Sequence, residues 1–237
     1  MATKFFLYKF VIGFQGLLLH INPEFMRTLF LALCSIIFFS CTEQEKRLPI
    51  LGNFDVNVSE SNGENDYDTI YHSIMDFEFV NQDSLMVSNK TFENKIYVSD
   101  FFFTSCPSIC PIMKGQMLRL YEEFESNQEV AFLSHTIDPE YDTVALLKDY
   151  AERLGVSSEK WHFVTGDKQE IFKIAQLSYM SVAANDANAP GGYIHSGRFL
   201  LVDKKRHIRG AYDGTSPEDV DQLIFDMYVL LKEYETE

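Results

Sequence analysis

Basic residues are scarce in this chain. Its 237 residues hold 20 Lys and Arg against 35 Asp and Glu, a formal charge of −15. A surface of that sign repels phosphate backbones and anionic bilayers, which excludes nucleic-acid binding through bulk electrostatics. Cysteine is scarcer still. Of the four, Cys34 and Cys41 fall in an apolar N-terminal stretch, leaving Cys106 and Cys110 as the thiols of the polar remainder. A disulfide across so short a loop would stabilise by only ~2 kcal/mol, which argues against a purely structural pair. No internal repeat is present. The apolar run "LFLALCSIIFF" falls short of the roughly 20 residues that a membrane-spanning helix needs. What is present is 46% hydrophobic and 14% aromatic residues, enough to core one domain with a segment to spare.

That run, "MRTLFLALCSIIFFSC" from Met26, has one Arg, an apolar stretch and a small residue before Cys41. This is the layout of a secretory signal. A cysteine directly after the small residue matches a bacterial lipobox, with Cys41 as the lipidated first residue of a membrane-anchored lipoprotein. Phe38 and Phe39 are bulkier than that pattern usually carries, and Cys34 is a weaker candidate for the same role. Residues 1–25, themselves apolar, either precede a true start at Met26 or form half of a two-part anchor. Either way the domain is expected in the cell envelope, outside the cytoplasm. The chain thus divides into a leader and signal (1–41), a flexible polar tether (42–66) with partial order near Pro49 to Val58, and a domain (67–237).

Within the domain, "SIMDFEFVNQDSLMVSN" predicts two short strands around a polar turn. "KIYVSDFFF" predicts a buried strand. Pro107 opens a helix whose apolar face is Met113, Met117, Leu120, Tyr121 and Phe124. "EVAFLSHTI" is the next strand. Asp142 caps the following helix and Gly155 ends it. "WHFVTG" is a third strand, and Asp167 with Glu170 opens a third helix. "SGRFLLVDKKRHIRGAYDG" reads as a hairpin, and Ser216-Pro217-Glu218-Asp219 starts the last helix. The alternation gives an α/β fold with a central mixed sheet flanked by helices. Two cysteines where the first strand enters a helix make that order thioredoxin-like.

Residues four apart on a helix share a face. Cys106 sits just before the predicted first turn, where free N–H groups and the helix dipole favour a thiolate. Cys110, one turn on, can share a ligand with it or close a disulfide. The three-residue spacing suits a metal grip as well as a redox pair, so both stay open. A third ligand would separate them. His135 and His162 lie mid-strand, His207 on the hairpin, His72 in the early strand region and His20 in the leader. His195 differs: in "ANAPGGYIHSGRFLLVD" it follows a Gly/Pro loop at the sheet end that the first strand exits. Tyr193 and the loop 183–192 read as a cover for this end.

In this order and spacing, "FFFTSCPSICPIM", "SHTIDPEYDT", "WHFVTGDKQEI" and "YIHSGRFLLVD" resemble the Sco/SenC copper chaperones, over about residues 67–237. The resemblance implies a thioredoxin fold, membrane tethering, and copper held by Cys106, Cys110 and His195. It implies delivery of Cu(I) or Cu(II) to an apo metalloprotein, the dinuclear copper site of cytochrome c oxidase subunit II. It also puts Asp138 near the metal as an outer-sphere partner. A lipidated Cys41 would replace the transmembrane anchor common in the family. His135 stands where an apolar residue is more usual, and either backs the ligands or packs. The donor set suits Cu(I), and with an added oxygen Cu(II). Zinc accepts the same donors, so copper rests on the resemblance. The alternative is an enzyme: a thiol–disulfide oxidoreductase using Cys106 and Cys110 as its redox pair on that or another partner.

Overall fold

The computed structural model describes residues 47–61, 64–186 and 193–235. Among them the order is β1 (Phe54–Ser61), β2 (Glu64–Tyr71), β3 (Glu78–Asn81), β4 (Met86–Ser88), β5 (Ile96–Phe102), α1 (Ile109–Glu123), β6 (Val130–Thr136), α2 (Val144–Leu154), β7 (Trp161–Thr165), α3 (Lys168–Leu177), β8 (Ala183–Asn185), β9 (Tyr193–His195), β10 (Arg198–Val202), β11 (Ile208–Asp213) and α4 (Pro217–Glu235). The leader, Cys41 and residues 187–192 of the expected cover lie outside the described residues. Among the described residues no helix is long and apolar enough to cross a membrane.

Strands β5, β6 and β7 are buried at every position, as parallel strands covered on both faces must be. They pair in parallel at the centre of a seven-stranded sheet of order β11-β10-β5-β6-β7-β3-β4. Strands β10 and β3 run antiparallel on either side of this trio, giving the expected mixed sheet.

Successive side chains on a strand point to opposite faces. One face carries Asp100, Phe102, Ser134, Trp161 and Phe163. Contacts to Lys114 and Tyr121 of α1 and Tyr150 of α2 cover it. The other carries Tyr97, Phe101 and His135, covered by Phe77, Phe79 and Tyr179. The helix carrying the cysteines and the pocket around His135 therefore sit on opposite sides of the sheet.

Local chemistry sets most helix ends as the sequence suggests. Asp167 accepts from the Gln169 and Glu170 amides, and Gly155 ends α2 at φ 73°. Ser216 accepts from the Asp219 amide at 3.2 Å. Three expectations change. Helix α1 begins at Ile109 rather than Pro107, and the Ser108 side chain does not cap it. Thr143, not Asp142, caps α2, because the Asp142 side chain is buried and turned inward.

The third change concerns the tether. Its described part holds β1, paired from Phe54↔Tyr71 to Ser61↔Glu64 with β2, and Leu51 bridges Ile208. Leu48 is buried, its amide donating to Glu233 at 2.6 Å. Ordered structure thus begins well before residue 67. Phe54, Val56 and Val58 alternate as a strand should, but all three are exposed, so no core-facing pattern marks them.

Candidate metal centre

The chain leaves β5 at Phe102 and passes through Phe103, Thr104 and Ser105 to the cysteines. The Cys106 amide donates to the Phe103 carbonyl at 3.2 Å, curling the loop back on the strand end. Neither sulfur is in a disulfide and both are buried, with Cys106 8% and Cys110 3% exposed. Cys106 Sγ lies 3.7 Å from Ser108 Oγ.

The surroundings drive the two thiols apart in acidity. Burial pushes Cys106 up, but hydrogen bonds from the Cys110 thiol, the Ser108 and Cys110 amides and the Ser108 hydroxyl outweigh it and lower its pKa. Cys110 is raised far above the usual thiol range, first by burial and then by donating to Cys106. The lowering expected for Cys106 at a helix start is borne out. The two thiols are thus unequal, with the thiolate favoured at Cys106 over Cys110.

Asp142 holds this loop in place. Its carboxylate accepts from the Thr104 amide at 3.1 Å, the Thr104 hydroxyl and the Thr136 hydroxyl. The loop before Cys106 is thereby fastened to the exit of β6. The neighbouring Asp138 accepts from the Tyr193 hydroxyl at 2.7 Å, and Lys168 Nζ donates to the same hydroxyl at 3.2 Å. The Tyr193 ring packs on Phe103 with centroids 5.3 Å apart. Burial and then the bond to Asp138 raise the Tyr193 pKa.

The backbone of His195 ends β9 and pairs with Ala183, while its side chain lies outside the described part of the structure. Both flanks of His195 approach the cysteine segment. Tyr193 meets Phe103, and a methyl group placed on Gly197 would sit 3.4 Å from Ile109 Cδ1 and 3.9 Å from Met113 Sδ. Cys106 and Cys110 are together, and Asp138 is joined through Tyr193 to the strand that bears His195. Among the described residues no group of three or more His, Cys, Asp or Glu side chains forms a metal-sized cluster.

His135 is placed differently. It is fully buried on the opposite sheet face, stacked on Phe101 at 4.9 Å, with Nδ1 3.4 Å from Ser99 Oγ and no partner for Nε2. It packs, and no described contact joins it to the thiols. Burial lowers its pKa to about 4.

A buried ion pair under α1 escapes a reading of the sequence. Lys114 Nζ, 3% exposed, is 2.6 Å from Asp100 and 3.1 Å from Ser134 Oγ, and lies 4.2 Å from the centre of the Phe102 ring. Trp161 Nε1 donates to the same serine at 2.9 Å. Lys114 falls among the apolar-face positions of α1, and Asp100 interrupts an apolar strand. Those two misfits were the available signal.

Comparison with known proteins decides the family. The SCO1/SenC family model matches residues 65–227. The chain belongs to the SCO1/SenC family. The SCO1 protein homolog of Bacillus subtilis is 30% identical over 162 residues, covering 68% of this chain and 83% of that protein. The structure of BsSco is similar at TM-score 0.60 and 28% identity, over 67% of this chain and 93% of that one. BsSco is described as having a disulfide switch and as a member of the Sco family of cytochrome c oxidase assembly proteins. Arabidopsis thaliana ScoI, solved with copper bound, matches at TM-score 0.55 and 25% identity, over 69% of this chain and 98% of that one. The thioredoxin-like α/β architecture agrees with these structures.

Proposed function

We propose that this chain is an extracytoplasmic copper chaperone. It holds copper through Cys106, Cys110 and His195 and passes it to an apo metalloprotein, the dinuclear copper site of cytochrome c oxidase subunit II. The observation that carries this reading is a pair of buried thiols outside any disulfide, Cys106 and Cys110, at the turn from β5 into α1. Two thiolates with an imidazole form a soft donor set suited to Cu(I). The copper-bound plant relative and the oxidase-assembly description of BsSco support copper over zinc.

The unequal thiols suggest an order of events. Cys106, already favoured as an anion, meets the ion first. The Cys110 proton leaves as the second sulfur binds, so loading releases protons and weakens in acid. Handover is exchange of these ligands for the recipient's. The signal ending at Cys41 supports a lipid anchor that keeps the domain beside a membrane-bound recipient.

The same unequal pair supports a second reading, thiol–disulfide exchange. The Cys106 thiolate attacks a partner disulfide, one partner thiolate leaves, and Cys110, deprotonated in the step, displaces the other. The partner gains two electrons and the Cys110 proton, its remaining thiolate taking a proton from water, and this chain ends as the Cys106–Cys110 disulfide.

The test mixes the Cu(I)-loaded full chain, in mild detergent and without oxygen, with the apo soluble domain of an oxidase subunit II whose cysteines are reduced. Copper recovered on the recipient after separation, and lost with Cys110→Ser, is the expected result. No copper transfer, together with rapid reduction of a recipient supplied as its disulfide, would favour the exchange reading.

A further inference from the structure

Strand β9 is fastened on both sides of His195, by different means. Downstream the anchors are backbone groups. The Ser196 amide donates to the Val182 carbonyl at 3.0 Å, and the Gly214 amide donates to the Gly197 carbonyl at 2.7 Å. Upstream, β9 pairs with β8 through Asn185↔Tyr193 and Ala184↔Ile194, and a side chain adds a further anchor to the rest of the fold. The Tyr193 hydroxyl donates to Asp138 at 2.7 Å and accepts from Lys168 at 3.2 Å. Its ring rests on Phe103, with Lys168 Nζ 5.2 Å from the ring centre. Asp138 follows β6, Lys168 opens α3 and Phe103 leads to Cys106. One tyrosine thus gathers three separate segments around the cysteine loop.

We propose that Tyr193 is a positioning residue of the copper site: its phenol, held between Asp138 and Lys168, holds the β8–β9 hairpin against the cysteine loop so that His195 is delivered to Cys106 and Cys110. This rests on the reading of His195 as a copper ligand. The phenol suits the task because it donates and accepts at one atom, satisfying a carboxylate and an ammonium together. Bonds to charged partners are the stronger kind. Lys168 also faces Glu140 at 3.9 Å, so the upstream anchor joins a partly exposed charge network rather than the core. Removing that one oxygen takes away this anchor and leaves the β8–β9 pairing in place.

The experiment is a double-mutant cycle on the full chain in mild detergent. It measures the rate at which Cu(I) leaves for a strong chelator, with thermal unfolding followed alongside. Tyr193→Phe keeps the ring on Phe103 and removes both hydrogen bonds. It should speed release by roughly tenfold, the scale of one charge-assisted hydrogen bond. In the His195→Ala background the same change should leave the rate unaltered, since a positioning effect needs the ligand it positions. Lys168→Met should show a smaller effect of the same sign, again absent without His195.

An equal acceleration in both backgrounds, or none in the native background while His195→Ala itself is severe, would overturn the role given to Tyr193. If His195→Ala alone does not change release, the ligand reading fails first, and the two failures are told apart.

Discussion

His135 offers a prediction with a calculable size. Its ring is fully buried, Nε2 has no partner, and burial lowers its pKa from 6.5 to about 4. In the unfolded chain the same ring titrates near its ordinary value. The folded pKa lies below the unfolded one, so between them the unfolded chain binds more protons. The stability from keeping this histidine neutral is complete above about pH 6.5, falls as the pH drops toward 4, and is then fully lost. The whole shift corresponds to about 3 kcal/mol, and about 2 kcal/mol of it lies between pH 7 and pH 5.

The perturbation is His135→Leu, which removes the titration and the unpartnered nitrogen together. Urea unfolding of the metal-free native protein and the variant, at half-unit steps from pH 5 to pH 7.5, gives their difference in stability. The buried His162, also lowered to about 4, titrates in both proteins and cancels. The variant should gain about 2 kcal/mol on the native protein as the pH falls from 7 to 5. A difference that stays flat with pH would refute the placement of His135 as a neutral, water-free core residue.

Other outcomes follow from the site. In the reduced, metal-free protein at pH 7.5, iodoacetamide should label Cys106 at least ~10 times faster than Cys110 by peptide mass mapping, since reactivity follows the thiolate fraction; equal rates would contradict the assignment of the anion to Cys106. Lys114→Met should cost about 3–5 kcal/mol in urea unfolding because it strands Asp100 in the core, and Lys114→Met with Asp100→Leu should recover most of it. A loss below ~1 kcal/mol for the single change would mean that water reaches the pair. Asp142→Ala should lower stability by about 2 kcal/mol, as the Thr104 and Thr136 groups lose their acceptor, and should loosen the loop before Cys106 to amide exchange more than it loosens α3. Uniform loosening of the whole domain would contradict a local fastening role.

Much of the fold is legible in the sequence because local rules and burial agree there. Strands β5, β6 and β7 are apolar runs of strand length, Gly155 and Asp167 mark helix ends by well-understood chemistry, and the β10–β11 hairpin turns where Asp203 to Arg206 suggest. What escapes is set by distant partners. Strands β1 and β2 pair with each other while showing water an apolar face, so no burial pattern announces them. Asp142 has the composition of a cap, yet two threonines from other segments draw it inward. Lys114 looks like an exception on an apolar face until Asp100 is placed beneath it. The cysteine pair was readable from spacing alone. The fastening of its neighbourhood through Tyr193, Asp138 and Lys168 was not, because those residues lie on three segments and nothing in the sequence joins Asp138 and Tyr193 to each other or to Lys168.

The central claim is that copper is held by two sulfurs and one nitrogen. Copper K-edge X-ray absorption of the reduced full chain, loaded with one equivalent of Cu(I), reads that ligand set directly. The account predicts two sulfur scatterers from Cys106 and Cys110 and one imidazole shell that disappears in His195→Ala. A two-sulfur site without imidazole, or a signal indifferent to His195, would contradict it and leave Cys106 and Cys110 as a redox couple.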